Sequence, residues 1–168
     1  MSGIESNPVP RSSRRVLTGV VVGGLVAGIL DIIYAFIAVG LRGGSPLGVL
    51  QSIASGLLGR GAFDGGAATG ILGLACHLAI AVGAAAVYFL ASRHMAMLRE
   101  RPYLAGVLFG ILVYLFMNFV VLPLSAVPFQ IKYTPLVLVK GFVSHALLVG
   151  LPIALILRHF SRDRISGR

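Results

Sequence analysis

Four long apolar segments constrain this chain more than any other feature of its sequence. They cover residues 16–41, 67–92, 103–124 and 136–160. An α-helix rises 1.5 Å per residue, so about 20 apolar residues cross the roughly 30 Å of hydrocarbon in a bilayer. Because each segment reaches that length, the sequence predicts an all-α, four-span transmembrane helix bundle.

The composition leaves little room for anything else. Of the 168 residues, 57% are hydrophobic and only 11% are charged, which places the chain outside the range of soluble globular proteins. We predict a flexible cytoplasmic tail over residues 1–15, one transmembrane domain over 16–160 and a basic cytoplasmic tail over 161–168. No nucleophile arrangement, phosphate-binding loop, catalytic carboxylate pair or zinc spacing is present, so no enzymatic activity is expected.

The net charge of +9 comes from residues that flank the spans, which argues against nucleic acid as a partner. If the N-terminus is cytoplasmic, the external loops hold only Arg42, Arg60 and Lys132, with Lys140 just inside the fourth span. The remaining basic residues are cytoplasmic: Arg11, Arg14, Arg15, Arg93, Arg99, Arg101, Arg158, Arg162, Arg164 and Arg168. This asymmetry predicts that both termini are cytoplasmic.

The first external loop contains a short amphipathic stretch at residues 46–58. Pro46 suits the first position of a helix, and apolar residues then recur at helical spacing. The stretch is too short to span a bilayer. It is therefore either an interfacial helix or a re-entrant one, and the sequence leaves both open. Further along the chain, Pro123 and Pro152 are expected to bend or end their helices.

The two halves of the chain resemble each other. A shift of 87 positions places the first span on the third and Asp31 on Asn118, and a shift of 68 places His77 on His145. The glycines that also match are Gly19 with Gly106, Gly23 with Gly110, and Gly73 with Gly141. Two parallel helical hairpins would explain the match, as would chance alignment of glycine-rich helices.

Four polar side chains are predicted to meet inside the membrane. Counting 1.5 Å per residue places Asp31, His77, Asn118 and His145 roughly 9–15 Å below the external surface. A charge near the middle of the bilayer costs at least about 2.5–3.5 kcal/mol, so Asp31 should face the bundle interior. We therefore predict a buried polar site formed by these four residues. Accessory candidates are Lys140, Gln51 and Ser52.

Three interpretations of this site remain open. It could be a hydrogen-bond network that fixes helix register, or a site that exchanges a proton or an ion. It could also bind a divalent metal through Asp31, His77 and His145, or a haem through the two histidines. In the haem alternative, Gly73 and Gly141 would leave room for the macrocycle. No cofactor is expected under the first two interpretations.

Two stretches resemble the YagU-like group of small bacterial inner-membrane proteins. One runs from Leu104-Ala105-Gly106 to the motif Leu-Pro-Leu-Ser-Ala-Val-Pro at residues 122–128, and the other from Gly141 through His145 to Arg158. The likeness covers roughly the last 90 residues and the four-helix plan, whereas the first loop is shorter and glycine-rich here. The resemblance implies a bacterial inner-membrane location and no established reaction.

The function predicted from the sequence is the handling of a proton, an ion or a small solute through the Asp/His/Asn centre. The alternatives are a structural or accessory membrane subunit without transport activity and a haem- or metal-binding four-helix protein. Four helices are few for enclosing a pathway, so the chain is expected to form a homo-oligomer.

Overall fold

The computed structural model describes residues 11–130 and 133–162, and over these residues it contains helices and no strands. Its helices long and apolar enough to cross a membrane are Arg14–Gly40, Gly66–His94, Pro102–Leu124 and Pro135–Ser161. The predicted all-α, four-span bundle is thereby confirmed. Residues 1–10 of the predicted N-terminal tail, Lys132 and residues 163–168 lie outside the described residues.

We number the helices α1 to α6. The first four are α1 (Arg11–Gly40), α2 (Pro46–Leu58), α3 (Gly66–His94) and α4 (Ala96–Glu100), with a 3₁₀ turn at Gly59–Phe63 between α2 and α3. Helix α5 comprises Pro102–Phe116, a π segment at Met117–Val121 and the short end Leu122–Leu124. Helix α6 comprises Pro135–Ser144, a π segment at His145–Gly150 and Leu151–Arg162.

Helices α2 and α6 begin with the same kind of N-cap. Ser45 caps α2 by accepting a hydrogen bond from the backbone N–H of Gly48 at 3.0 Å. Thr134 caps α6 in the same way, accepting from the backbone N–H of Val137 at 3.3 Å. A proline follows each cap, where its missing N–H costs nothing because the first helical N–H groups have no partner in the helix.

The ends of the transmembrane domain differ from the prediction. Helix α1 begins at Arg11, so residues 11–15 of the predicted N-terminal tail are helical in the structure. Helix α6 continues to Arg162, two residues into the predicted C-terminal tail. Arginine is a good helix former, and the backbone hydrogen bonds of a helix continue into water without penalty. Hydropathy therefore marks where the lipid ends and does not mark where the helix ends.

Helix α1 packs against both α3 and α6, while α5 packs against α6 and α2 covers part of α3. Gly19 near the start of α1 lies against Phe160 near the end of α6, so the first turns of α1 and the last turns of α6 meet on one side of the bundle. We call this side the termini end and the opposite side, where α2 lies, the α2 end.

The apolar core lies mainly toward the termini end, where all four spans contribute to it. The hydroxyl of Tyr88, a residue only 2% exposed, donates a hydrogen bond to the carbonyl of Leu98 on α4 at 2.9 Å. Its ring also meets Phe109 of α5 edge to face, with centroids 5.0 Å apart. The buried core residues are Val20, Ala27, Ala85, Tyr88, Leu98, Ala105, Val149, Ile153, Ala154 and Leu157. This core joins the spans on both sides of α4.

Each π segment stands just before a proline. Pro123 follows the segment Met117–Val121, and Pro152 follows the segment His145–Gly150, in both cases after one intervening residue. A proline ring clashes with the carbonyl four residues earlier in a regular α-helix, and a wider turn relieves that clash. Helix α6 consequently continues through Pro152 to Arg162. The expectation that this proline could end its helix is wrong.

Candidate functional site

Side chains from three different spans meet in the half of the bundle that lies toward the α2 end. Asp31 of α1 faces His77 of α3, with Oδ2 3.9 Å from Nε2. Its other oxygen, Oδ1, lies 4.0 Å from Nδ1 of His145 in α6. The three side chains are only 17% to 20% exposed. The depth count thus brought the right three residues together, and we call them the Asp–His–His cluster.

The hydrogen-bond partner of His77 indicates which of its ring nitrogens carries the hydrogen. Nε2 lies 2.9 Å from the carbonyl oxygen of Gly28 on α1. A carbonyl only accepts, so Nε2 carries a hydrogen and donates it. Gly28 makes this approach possible, because a Cβ there would stand only 3.0 Å from the side chain of Ala81. The same N–H is the group of His77 that faces Asp31.

His145 is assigned by a similar argument. The Ser144 hydroxyl has one hydrogen, which it donates to the carbonyl of Gly141 at 3.1 Å. Nδ1 of His145 lies 3.3 Å from the same hydroxyl oxygen, so Nδ1–H is the donor in that contact. The imidazole also meets the ring of Tyr114 edge to face at 5.1 Å. Both nitrogens that face Asp31 therefore carry a hydrogen.

The carboxylate of Asp31 therefore faces two imidazole N–H groups but forms a direct hydrogen bond with neither. The separations of 3.9 and 4.0 Å exceed the 2.7–3.2 Å of an N–H···O bond. Among the described residues, no buried side-chain oxygen or nitrogen lacks a hydrogen-bond partner. The Asp31 oxygens make none, so they are not fully buried. If Asp31 is ionised and both imidazoles are neutral, the cluster carries one negative charge.

The cluster does not have the form of a metal site. A ligating imidazole nitrogen must offer a lone pair, whereas Nε2 of His77 and Nδ1 of His145 offer hydrogens to Asp31. Across residues 11–130 and 133–162, no three His, Cys, Asp or Glu side chains are placed to hold one metal ion. The donors facing Asp31 therefore do not fit the predicted metal alternative.

The space that the haem alternative requires beside Gly73 and Gly141 is occupied by the protein. Gly73 packs against the backbone carbonyl of Leu50 in α2, which a Cβ at that position would overlap. Gly141 packs against the ring of Tyr114, with which a Cβ would also overlap. Both places that were expected to leave room for a macrocycle are filled by the protein. The expectation was wrong because glycine in a membrane helix here admits another part of the chain.

The hydrogen bonds of Asn118 are made to residues outside the cluster. Its side-chain amide donates back to the carbonyl of Tyr114, one turn earlier in α5, at 2.9 Å. Its backbone carbonyl accepts from the hydroxyl of Tyr133 at 3.1 Å. It lines a cavity of about 480 Å³ at the α2 end, together with Phe119 and Tyr133. The hydrogen bonds of Asn118 thus give no support to the prediction that it shares a site with Asp31. Counting residues along a helix predicts the height of a side chain but does not predict the direction in which it points around the helix axis.

The accessory candidates also lie elsewhere. Lys140 is exposed. The Ser52 hydroxyl donates to the carbonyl of Val49 within α2 at 2.7 Å. Gln51 is 8% exposed, and its amide donates to the carbonyl of Gly66 at 3.2 Å. Gln51 therefore pins α2 to the start of α3, and Leu50 continues that contact at Gly73.

The helix contacts reveal a register different from the one predicted. We call α1 with α3 the first hairpin and α5 with α6 the second. In the first, Gly24 meets Val82 and Gly28 lies 3.8 Å from His77, measured from a Cβ built there. In the second, the corresponding pairs are Gly106 with Gly150 and Gly110 with His145. The glycines are related by 82 positions, while the histidines keep the predicted 68.

In this contact register Asp31 corresponds to Val113, so the predicted match of Asp31 with Asn118 does not follow the packing. Sequence reasoning also missed Ser144 and Tyr114, the two residues that hold the ring of His145. Ser144 is adjacent to His145 in the sequence, and Tyr114 lies one turn before Asn118, but neither spacing alone indicates such a contact.

The chain matches no protein-family model, no curated protein sequence and no solved structure. The resemblance to the YagU-like group stays a prediction. The assignment of a role therefore depends on the geometry of the cluster.

Proposed function

We propose that this integral membrane protein binds and releases a proton at the Asp–His–His cluster, in a non-enzymatic role in proton or ion handling. The observation that supports it most directly is the position of Asp31, whose two oxygens face imidazoles of two other spans at 3.9 and 4.0 Å. Imidazole exchanges protons near neutral pH. A charged side chain is costly in lipid, so a carboxylate inside a span is typical of a proton or ion pathway.

The cluster is also suited to exchange with water. Each imidazole uses one nitrogen toward Asp31, leaving Nδ1 of His77 and Nε2 of His145 without a hydrogen bond among the described residues. These two atoms carry the lone pairs that accept a further proton. Proton entry at one imidazole and release at the other would pass through the carboxylate between them.

A structural role is the second candidate, and one contact favours it. The 2.9 Å hydrogen bond from His77 to the carbonyl of Gly28 ties α3 to α1 whatever the state of Asp31. Interhelical hydrogen bonds in membranes stabilise by about 0.6–2 kcal/mol. If this is the main role, the protein is a structural or accessory subunit and transports nothing.

We further propose a bacterial inner-membrane location with both termini cytoplasmic, and self-association of the chain. The excess of arginine on the termini end supports the orientation, since basic residues favour the cytoplasmic side. The resemblance to the YagU-like group supports the location. The small number of spans supports self-association, which sedimentation of the protein in mild detergent would test.

The test of the main proposal is proton flux into liposomes, followed with a pH-sensitive dye trapped inside. We expect flux with the wild type and a decrease of about tenfold or more with Asp31→Asn, because an asparagine amide cannot take up and release a proton as a carboxylate does. His145→Gln should act in the same direction. The matched control is Asp64→Asn, which removes the same charge from an exposed turn outside the spans.

The outcomes separate the two candidates. Flux that is the same in the wild type, Asp31→Asn and Asp64→Asn would overturn the proton-binding proposal. Absence of flux in all of them, combined with a loss of stability in His77→Gln, would favour the structural subunit.

A further inference from the structure

A cleft of about 770 Å³ opens at the termini end, far from the Asp–His–His cluster. Its walls come from the first turns of α1 and the last turns of α3. These walls are apolar and are formed by Val16, Leu17, Val20, Ala86, Phe89 and Leu90. Its volume falls within the range of small-molecule sites, about 300–1,000 Å³.

The rim of the cleft is basic. Arg93 at the end of α3 and Arg99 on α4 both line it, together with the small polar residues Ser92 and Ser161. The guanidinium of Arg99 donates a hydrogen bond to the carbonyl of Ser92, another residue of the rim. None of the described lining residues is acidic. Among the described residues that line the cleft, the charged ones are therefore both arginines.

The apolar walls and the basic rim of the cleft are expected at different depths in the membrane. Val16, Leu17 and Val20 begin the apolar part of α1 directly after Arg14 and Arg15, so they mark the edge of the hydrocarbon. Arg93 stands in the last turn of α3, so we expect the arginines of the rim at the level of the lipid phosphates. An acyl chain fits the apolar walls, and a phosphate fits guanidinium groups, which bind it with charge-assisted hydrogen bonds.

We propose that this cleft binds an anionic phospholipid, with an acyl chain between α1 and α3 and its phosphate against Arg93 and Arg99. Basic pockets between transmembrane helices are suited to anionic headgroups. Inorganic phosphate would satisfy the arginines but would leave the apolar walls uncovered. The combination of walls and rim therefore selects the whole lipid.

The experiment measures lipid retained by the full-length protein after detergent purification, by native mass spectrometry. The protein is first equilibrated with a mixture of phosphatidylglycerol and phosphatidylcholine. We expect preferential retention of phosphatidylglycerol and a decrease of about tenfold in the double variant Arg93→Gln/Arg99→Gln. The matched control is Arg42→Gln/Arg60→Gln, which removes two exposed arginines from the α2 end and should retain lipid as the wild type does.

A second variant tests the apolar part. Ala86→Phe fills the cleft and keeps both arginines, so it should reduce phosphatidylglycerol retention while circular dichroism shows unchanged helix content. Equal retention of the two lipids, or equal loss in the control double variant, would overturn the proposal. So would displacement of the lipid by millimolar inorganic phosphate together with full retention in Ala86→Phe, because the arginines would then be binding an anion alone.

Discussion

The two hairpins share a packing scheme and differ in charge. Each lays a glycine of its first helix against the helix that carries a histidine, Gly28 against His77 and Gly110 against His145. Only the first hairpin contributes a carboxylate, Asp31, and only the second contains π segments. The scheme thus places two imidazoles at similar height, and a single carboxylate serves both.

The residue of the second hairpin that corresponds to Asp31 explains why only one carboxylate is present. In the contact register, Asp31 corresponds to Val113, which packs against the apolar core. A carboxylate there would have to be buried among apolar side chains at a high cost in free energy. The asymmetry between the hairpins is therefore built into the packing, and the second histidine depends on the first hairpin for its charged partner.

The largest loss of stability is expected where both hairpins use a glycine for close contact between helix backbones. Gly24→Ala and Gly110→Ala should each lower the free energy of unfolding by about 2–3 kcal/mol, because the new Cβ overlaps the backbone of Val82 or the carbonyl of His145. The measurement is unfolding by sodium dodecyl sulfate. The control is Gly83→Ala, whose Cβ meets nothing within 4 Å. Destabilisation by Gly83→Ala equal to that of the other two would contradict the shared scheme.

The next prediction separates the hairpins. Gly73→Ala forces the backbone of Leu50 in α2 to move, whereas Gly141→Ala displaces the side chain of Tyr114. We expect a loss of stability of about 2 kcal/mol for Gly73→Ala and about 1 kcal/mol for Gly141→Ala. Hydrogen exchange should show increased opening of α2 only in the first variant. Faster exchange of α2 in both would show that the two glycines have the same role.

The connection between the hairpins is tested by Tyr88→Phe. This variant keeps the ring contact with Phe109 but leaves the carbonyl of Leu98 without its hydrogen bond, so we expect a loss of about 1 kcal/mol. Proteolysis near α4 should accelerate. Tyr103→Phe is the control, because Tyr103 is 67% exposed. If both variants unfold alike, the hydroxyl of Tyr88 does not join the hairpins.

The smallest expected effect belongs to Asn118→Ala. Its amide bonds only to the preceding turn of α5, so we expect a change in stability below about 0.5 kcal/mol and unchanged proton flux. The liposome assay used for Asp31→Asn measures the second quantity. A loss of flux similar to that of Asp31→Asn would contradict this prediction. It would favour the alignment of the two halves by 87 positions, in which Asn118 corresponds to Asp31.

The sequence predicted the spans and the meeting of three polar residues because both depend on quantities it contains directly. Hydropathy sets the length of each span, and the rise per residue sets the height of Asp31, His77 and His145. It did not predict where side chains point around a helix axis, and Asn118 shows the consequence. Nor did it predict what fills the space at Gly73 and Gly141, because those contacts come from residues distant in the chain.

The π segments also escaped prediction, although each stands before a proline that the sequence shows. One of them begins at His145 itself. A π turn holds one residue more than an α turn, and successive residues of an α-helix are about 100° apart. Returning this segment to α geometry would swing the imidazole by about that angle around the helix and carry it away from Asp31. The π turn that accommodates Pro152 therefore also sets the direction in which the imidazole of His145 leaves the helix, and so gives Asp31 its second neighbour.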